Sequence, residues 1–447
     1  MKKIIKPGAF ALLLLMSACI DFDLYDPEDY EYNTEHYNEI DPNSNHLILD
    51  ESFFGNHNLE SSIHDLLPLS DGHFYFYGLR DDVYVAGEIS SQGDVMWINE
   101  LPYIVKAIRI HKDRLLICGS QDMDGNGATD MGILELIDHN GNLLLRSTWN
   151  DFDHIRFNGF NEKYIVGRCR EGNSIHPFVA EYYVDDLDTI FQGEVKSFPG
   201  LENQYFHKIE KNYILGAKFR GSFTETEAYE IMLHSLNEKT FKLDWSTSIV
   251  AETGFETSEG DLLMIDSLIY VSGSSEVYEH DPPYNQDYWT DGLLASLNTD
   301  GSINFVETYN ASIRGDKYNG LIYDKGIVFA YGRTSSYWLV MTNDCFSYGL
   351  ISSIDPVNGT LLSHHSFGSN SYGSNINILR TTNKGFVFAG HSKQEYYNYE
   401  HETAYQAWFV SVSDLSNPAK TTRVILKADT GQKIKGGDPK SSAPNRQ

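Results

Sequence analysis

The chain has 447 residues, 41% hydrophobic and 22% charged, so it can bury a core and is not compositionally disordered. Lys and Arg total 34 against 63 Asp and Glu, a net charge of −29. A field of that sign repels phosphate backbones and argues against nucleic acid as a partner, whereas cations and neutral ligands are easily accommodated.

The chain opens MKKIIKPGAFALLLLMSAC: three lysines, a short apolar run from Ala9 to Met16, then small residues before a cysteine. This is the layout of a secretory signal, and the apolar run is too short to span a membrane comfortably. Met16-Ser17-Ala18-Cys19 resembles the lipobox of bacterial lipoproteins, with Met16 where leucine is commoner. The resemblance implies that residues 1–18 are a signal peptide and that Cys19 becomes an acylated amino terminus, tethered by chains such as palmitate. Residues 19–45 are acidic and turn-rich and read as a flexible tether. Their run of Asp21, Asp23, Asp26, Glu28 and Asp29 resembles the surface-export signal of Bacteroidota lipoproteins, which implies the cell-surface leaflet of the outer membrane. A periplasm-facing anchor is the alternative.

From about residue 59, within an expected propeller body of residues 46–427, the chain repeats one phrase: a polar turn, a strand closing on glycine, a variable loop, an apolar strand and an Asn-Gly or Asp-Gly turn. The strand and its glycine recur seven times, at Gly78, Gly119, Gly167, Gly216, Gly273, Gly332 and Gly390. A four-stranded sheet cannot bury both faces alone, so such units stack radially. The expected fold is all-β: a single propeller of seven four-stranded blades, with six or eight as alternatives because the repeats near Asp186 are degenerate. Residues 46–55, HLILDESFFG, precede the first full repeat and resemble fourth-strand segments. They are expected to form the outer strand of the last blade and close the ring. The phrases resemble the repeats of propellers in Bacteroidota lipoproteins and of PQQ-like or delta-60-type propellers, which implies fold far more than activity. Residues 428–447 carry no apolar pattern and read as a disordered tail.

Asp122, Asp124, Asn126 and Asp130, with the carbonyl of Ala128, have the oxygen-ligand spacing of a calcium loop. The spacing resembles the DxDxDG loops of integrin-type propellers, and Ile133 at the twelfth position excludes an EF-hand. A structural Ca²⁺ is the expectation and a plain Asx/Gly turn the alternative. No CxxC or Cys/His cluster supports zinc. Cys118, Cys169 and Cys345 read as buried strand residues, with a Cys118–Cys169 bridge left open.

The long loops of blades 5 to 7 hold Tyr284, Tyr288, Trp289, Trp338, Tyr396, Tyr397, Tyr399 and Tyr405, which the topology gathers on one side of the ring. Aromatic faces with polar handles suit sugar rings or a protein partner. First-strand residues His64, Arg109, Arg156 and His207 are candidates to line the channel, without a locatable acid/base pair. The leading reading is a non-catalytic surface lipoprotein that binds a glycan or protein partner through these aromatic loops. The second reading is a propeller hydrolase or lyase acting on polysaccharide.

Overall fold

The computed structural model describes residues 48–425, apart from 56–58, 123–130, 153, 173, 186–188, 220–228, 252–253, 279–287, 312–314, 339–344, 369–373, 393–404, 413–414 and 416–421. Every regular element among the described residues is a β-strand. The strands form seven antiparallel sheets that follow the repeat: blades 62–100, 104–149, 154–197, 204–249, 254–309, 316–368 and 374–412. The first strands of successive blades lie against one another all the way round, from Ser62–Pro68 in blade 1 to Ser374–Thr382 in blade 7 and back. They therefore form the inner wall of the ring.

The ring is closed as the sequence implies. The strand Ile48–Phe54 pairs antiparallel with Gln406–Val412 and supplies the outer strand of blade 7. The Phe54 ring then rests 5.7 Å from Phe76 of blade 1. A feature the repeat does not announce is a fifth strand on blade 6. Thr422–Ile425 runs parallel to Leu361–Gly368 and covers an edge that a propeller blade would otherwise leave unpaired.

The middle strands of a blade are buried almost without a break, as in Arg114–Gln121 and Met131–Ile137, because both faces of the sheet are packed, whereas the outer strand Leu143–Trp149 alternates, and the core is divided among the interfaces between blades. One cluster joins blades 2 and 3 around Trp149, Phe157 and Phe178. Another joins blades 6, 7 and 1 around Phe329, Phe388 and Trp408. Tyrosine hydroxyls peg neighbouring blades together: Tyr75 donates to the Asp113 carbonyl at 3.0 Å and Tyr309 to that of Gly359 at 2.6 Å. Cys118 and Cys169 are buried free thiols in this core, so the bridge left open by the sequence does not form.

The recurring glycine has a physical cause. In every blade it pairs with an inner-strand residue at which the register slips: Ile63, Val105, Phe157, Phe206, Glu259, Tyr318 and Ile376. A Cβ at Gly78, Gly119, Gly167, Gly216, Gly332 or Gly390 would run into an inner-strand carbonyl oxygen. Each blade thus carries a β-bulge on its innermost strand, where an extra residue is turned out of the ladder. Those residues are His64, Lys106, Asn158, His207, Gly260 with Asp261, Asn319 and Asn377.

Candidate functional site

The bulges place a girdle of polar side chains around one end of the channel. Part of it is structural. Asn319 donates to Asn375 Oδ1 at 2.8 Å, Asn375 to Asn377 Oδ1 at 2.7 Å, and Asn377 to the Ile63 carbonyl at 2.7 Å. This chain links blades 6, 7 and 1. Asn158 likewise donates to the Phe206 carbonyl of blade 4 at 2.7 Å.

Between blades 7 and 1 the girdle opens into a cleft of about 450 Å³, in the size range of small-ligand sites. His64, Tyr77, Asn377, His391 and Tyr405 are among the residues that line it. His64 Nε2 lies 2.7 Å from Ser62 Oγ, and its ring meets Tyr77 edge-on at 5.5 Å. Burial, reinforced by the charge of Lys106, pushes the His64 imidazole down to about 4. It is therefore neutral at pH 7 and able to accept or share a hydrogen bond without a charge. On the opposite wall the Tyr405 ring packs edge-on against His391 at 4.6 Å.

Beside the cleft the charges change sign. Tyr77 donates to the Lys106 carbonyl at 2.8 Å, and Lys106 is the bulged residue of blade 2. Burial and the like charges of Arg156 and Arg168 push its amine down to about 8. Arg156 stands directly across the ladder from Arg168 in blade 3.

Elsewhere on the inner strands the charges are paired. Arg380 of blade 7 binds Asp65 of blade 1 at 2.7 Å, and Lys208 of blade 4 binds Asp261 of blade 5. Asp261 also accepts from the Leu321 backbone N–H at 3.0 Å. At the opposite end of blade 1, Asp71, His73 and Glu88 bring potential metal-ligating atoms within 4.8 Å of one another. His73 Nδ1 is 2.7 Å from Glu88, which also accepts from Trp97 Nε1 at 3.0 Å, so the group is satisfied as a hydrogen-bonded cluster.

Of the first-strand residues expected in the channel, His64 and His207 are bulge residues, and Arg156 precedes the bulge of its strand by two positions. Arg109 instead forms an ion pair with Glu162. Of the aromatic residues, Tyr405 lines the cleft. Tyr288, Trp289 and Trp338 fall in paired strands that lengthen two hairpins at the cleft end. In blade 5 the pairing extends to Tyr278 opposite Tyr288, and in blade 6 to Trp338 opposite Cys345. Tyr284, Tyr396, Tyr397 and Tyr399 lie outside the described residues, as do Asp124, Asn126, Ala128 and Asp130 of the acidic loop and the lipobox with Cys19. Asp122, at the edge of that loop, is partly buried.

Sequence reasoning missed Lys106, Arg168, Asp65, Asp261, Lys208 and Arg380. The bulged strands were within reach of it, since each precedes a repeat glycine, but the residue that each strand turns out of the ladder was not.

No family model matches this chain, and no curated protein matches it in sequence. Solved structures are similar to it at low identity. The AfRom2 CNH domain is 10% identical with a TM-score of 0.40, over 81% of this chain and 98% of that one. Quinohemoprotein alcohol dehydrogenase from Comamonas testosteroni is 9% identical with a TM-score of 0.41, over 81% and 76%. Drosophila Plexin A, solved in complex with Semaphorin 1b, is 8% identical with a TM-score of 0.39, over 82% and 87%. The strand pairing itself defines the chain as a seven-bladed β-propeller.

Proposed function

We propose that this protein is a non-catalytic surface lipoprotein, anchored in the outer membrane through acylated Cys19, that captures a glycan or a protein partner at the cleft end of its propeller. The observation that carries the reading is the coincidence of three features at one end of the ring. These are the cleft with Tyr77 and Tyr405, the polar girdle, and the lengthened hairpins bearing Tyr288, Trp289 and Trp338. The extra pairs in blades 5 and 6 exceed what strand connection requires, and ordered length of this kind has a cost that binding offsets. A structural Ca²⁺ in the loop from Asp122 to Asp130 belongs to the same reading.

A hydrolase or lyase acting on polysaccharide is the second reading, and the Ser62–His64 contact inside the cleft favours it. A base held at about 4 has little driving force to take a hydroxyl proton at neutral pH, which ranks this reading lower.

The test is a glycan array and a surface-protein pull-down with the full-length protein, alongside its Trp289→Ala and Tyr405→Ala variants, each checked by melting. Binding that falls at least tenfold in either variant, about 1.4 kcal/mol, supports the reading. A ligand that both variants hold as tightly as wild type, or that wild type converts to product, overturns it.

A further inference from the structure

We propose that Lys106 and Arg156 form an anion-binding site beside the cleft, which takes the carboxylate of an acidic saccharide. The inference rests on the binding reading above and names the class of ligand. A protein with a net charge of −29 has acidic groups to spare, yet among the described residues no ion pair joins either of these two cations to one of them. Among the described residues, the charges that bear on Lys106 are those of Arg156 and Arg168, both of its own sign. Arg156 and Arg168 face each other across the ladder, where like charges are destabilising. Arg156 Nε is buried and has no hydrogen-bond partner among the described residues. A buried cationic donor without a partner costs free energy that an incoming anion restores.

Two other cations of the inner strands, Arg380 and Lys208, each have a carboxylate in contact. Among the described residues, the fold therefore supplies carboxylate partners to Arg380 and Lys208 and none to Lys106 and Arg156. The guanidinium fork of Arg156 and the amine of Lys106 suit a planar carboxylate. Tyr77, which reaches the Lys106 carbonyl and lines the cleft, supplies a flat face next to that anchor for a sugar ring.

The experiment is calorimetric titration of full-length protein in detergent with trigalacturonate, with its fully methyl-esterified and therefore neutral counterpart, and with sodium sulfate. Wild type is expected to bind trigalacturonate at least tenfold more tightly than the ester, and Lys106→Met with Arg156→Met to abolish that preference. Without ligand, the double variant is expected to melt no lower than wild type, because it removes repulsion rather than a contact, and this separates lost binding from lost fold. Equal affinity for acid and ester overturns the anion site and leaves the binding reading standing. Binding of sulfate with no binding of either saccharide overturns the saccharide assignment, and binding of none of the three overturns the site.

Discussion

Arg380 on the last inner strand of the ring holds Asp65 on the first, 2.7 Å away and 315 residues apart in sequence. The same guanidinium donates from Nε to the Leu66 carbonyl at 2.7 Å, so one side chain ties blade 7 to blade 1 from inside while the strand Ile48–Phe54 ties them from outside. Burial raises the Asp65 carboxyl above its ordinary value despite Arg380, which shows how much desolvation the pair has to offset. Both side chains keep roughly a quarter of their surface exposed. Arg380→Met is therefore expected to cost about 2 to 3 kcal/mol, less than a fully buried pair, because it strands a carboxylate rather than because the pair itself is strong. Arg380→Met with Asp65→Leu is expected to recover a good part of that loss. Guanidinium unfolding of the two singles and the double measures the cycle, and a double variant as unstable as the sum of the singles contradicts it.

The repeat glycines test the bulge. A methyl group at Gly332 has the Lys317 carbonyl in its way, whereas one at Gly200 meets nothing within 4 Å. Gly332→Ala is expected to destabilise the protein by about 2 kcal/mol or more through forced backbone movement. Gly200→Ala is expected to stay within about 0.5 kcal/mol of wild type. Thermal melts of the two variants decide it, and equal melting points would mean that the glycine is not required by the bulge.

The fold was legible because the repeat writes its own geometry. Seven glycines at strand ends mark seven bulges, and HLILDESFFG before the first repeat marks the closing strand. The site was less legible for a reason that the same bulges make clear. A bulge shifts the side-chain alternation by one residue, so period-two reading of an inner strand does not say which residue faces the channel. His64 and His207 were identified, but Lys106 was hidden inside IVKAIRIH, and the ion-pair partners Asp65 and Arg380 lie in different repeats. Arg109 looked like a channel residue and instead pairs with Glu162 between blades 2 and 3. The strand Thr422–Ile425 was invisible because a four-residue parallel edge carries no turn or period of its own.

The acidic loop from Asp122 to Asp130 yields a prediction that needs only its ligand spacing. With Ca²⁺ bound to the folded loop and not to the unfolded chain, removing it lowers stability by mass action. Chelation is expected to lower the melting temperature by several degrees, and Asp122→Ala with Asp124→Ala to melt at the lower value with or without chelator. Identical wild-type melts with and without chelator would leave the loop as an Asx/Gly turn.

Three buried histidines set an acid limit. His64, His234 and His365 are each pushed down to about 4 by burial, with Lys106 adding to the effect at His64. His234 is fully buried, and its Nδ1 lies 2.8 Å from Ser246 Oγ. In the unfolded chain each imidazole titrates near 6.5, so between about pH 6.5 and 4 the unfolded state binds protons that the folded state refuses. Stability from these residues is thus fully present above pH 6.5 and is lost as pH falls toward 4, by up to about 1.4 kcal/mol per pH unit for each histidine. Asp65 and Glu210, whose carboxyls are raised mainly by burial, act in the opposite direction, because they bind protons more readily folded than unfolded. The net profile therefore mixes both signs, and a single substitution isolates one of them. His234→Asn retains a polar group for Ser246 and removes the titration. Its stability, measured by urea unfolding from pH 7.5 to 4.5, is expected to fall less steeply below pH 6.5 than that of wild type, by about 1 kcal/mol per pH unit. Profiles that stay parallel across the whole range would mean that His234 takes up its proton at the same pH folded and unfolded, and that its burial is compensated by a partner other than Ser246.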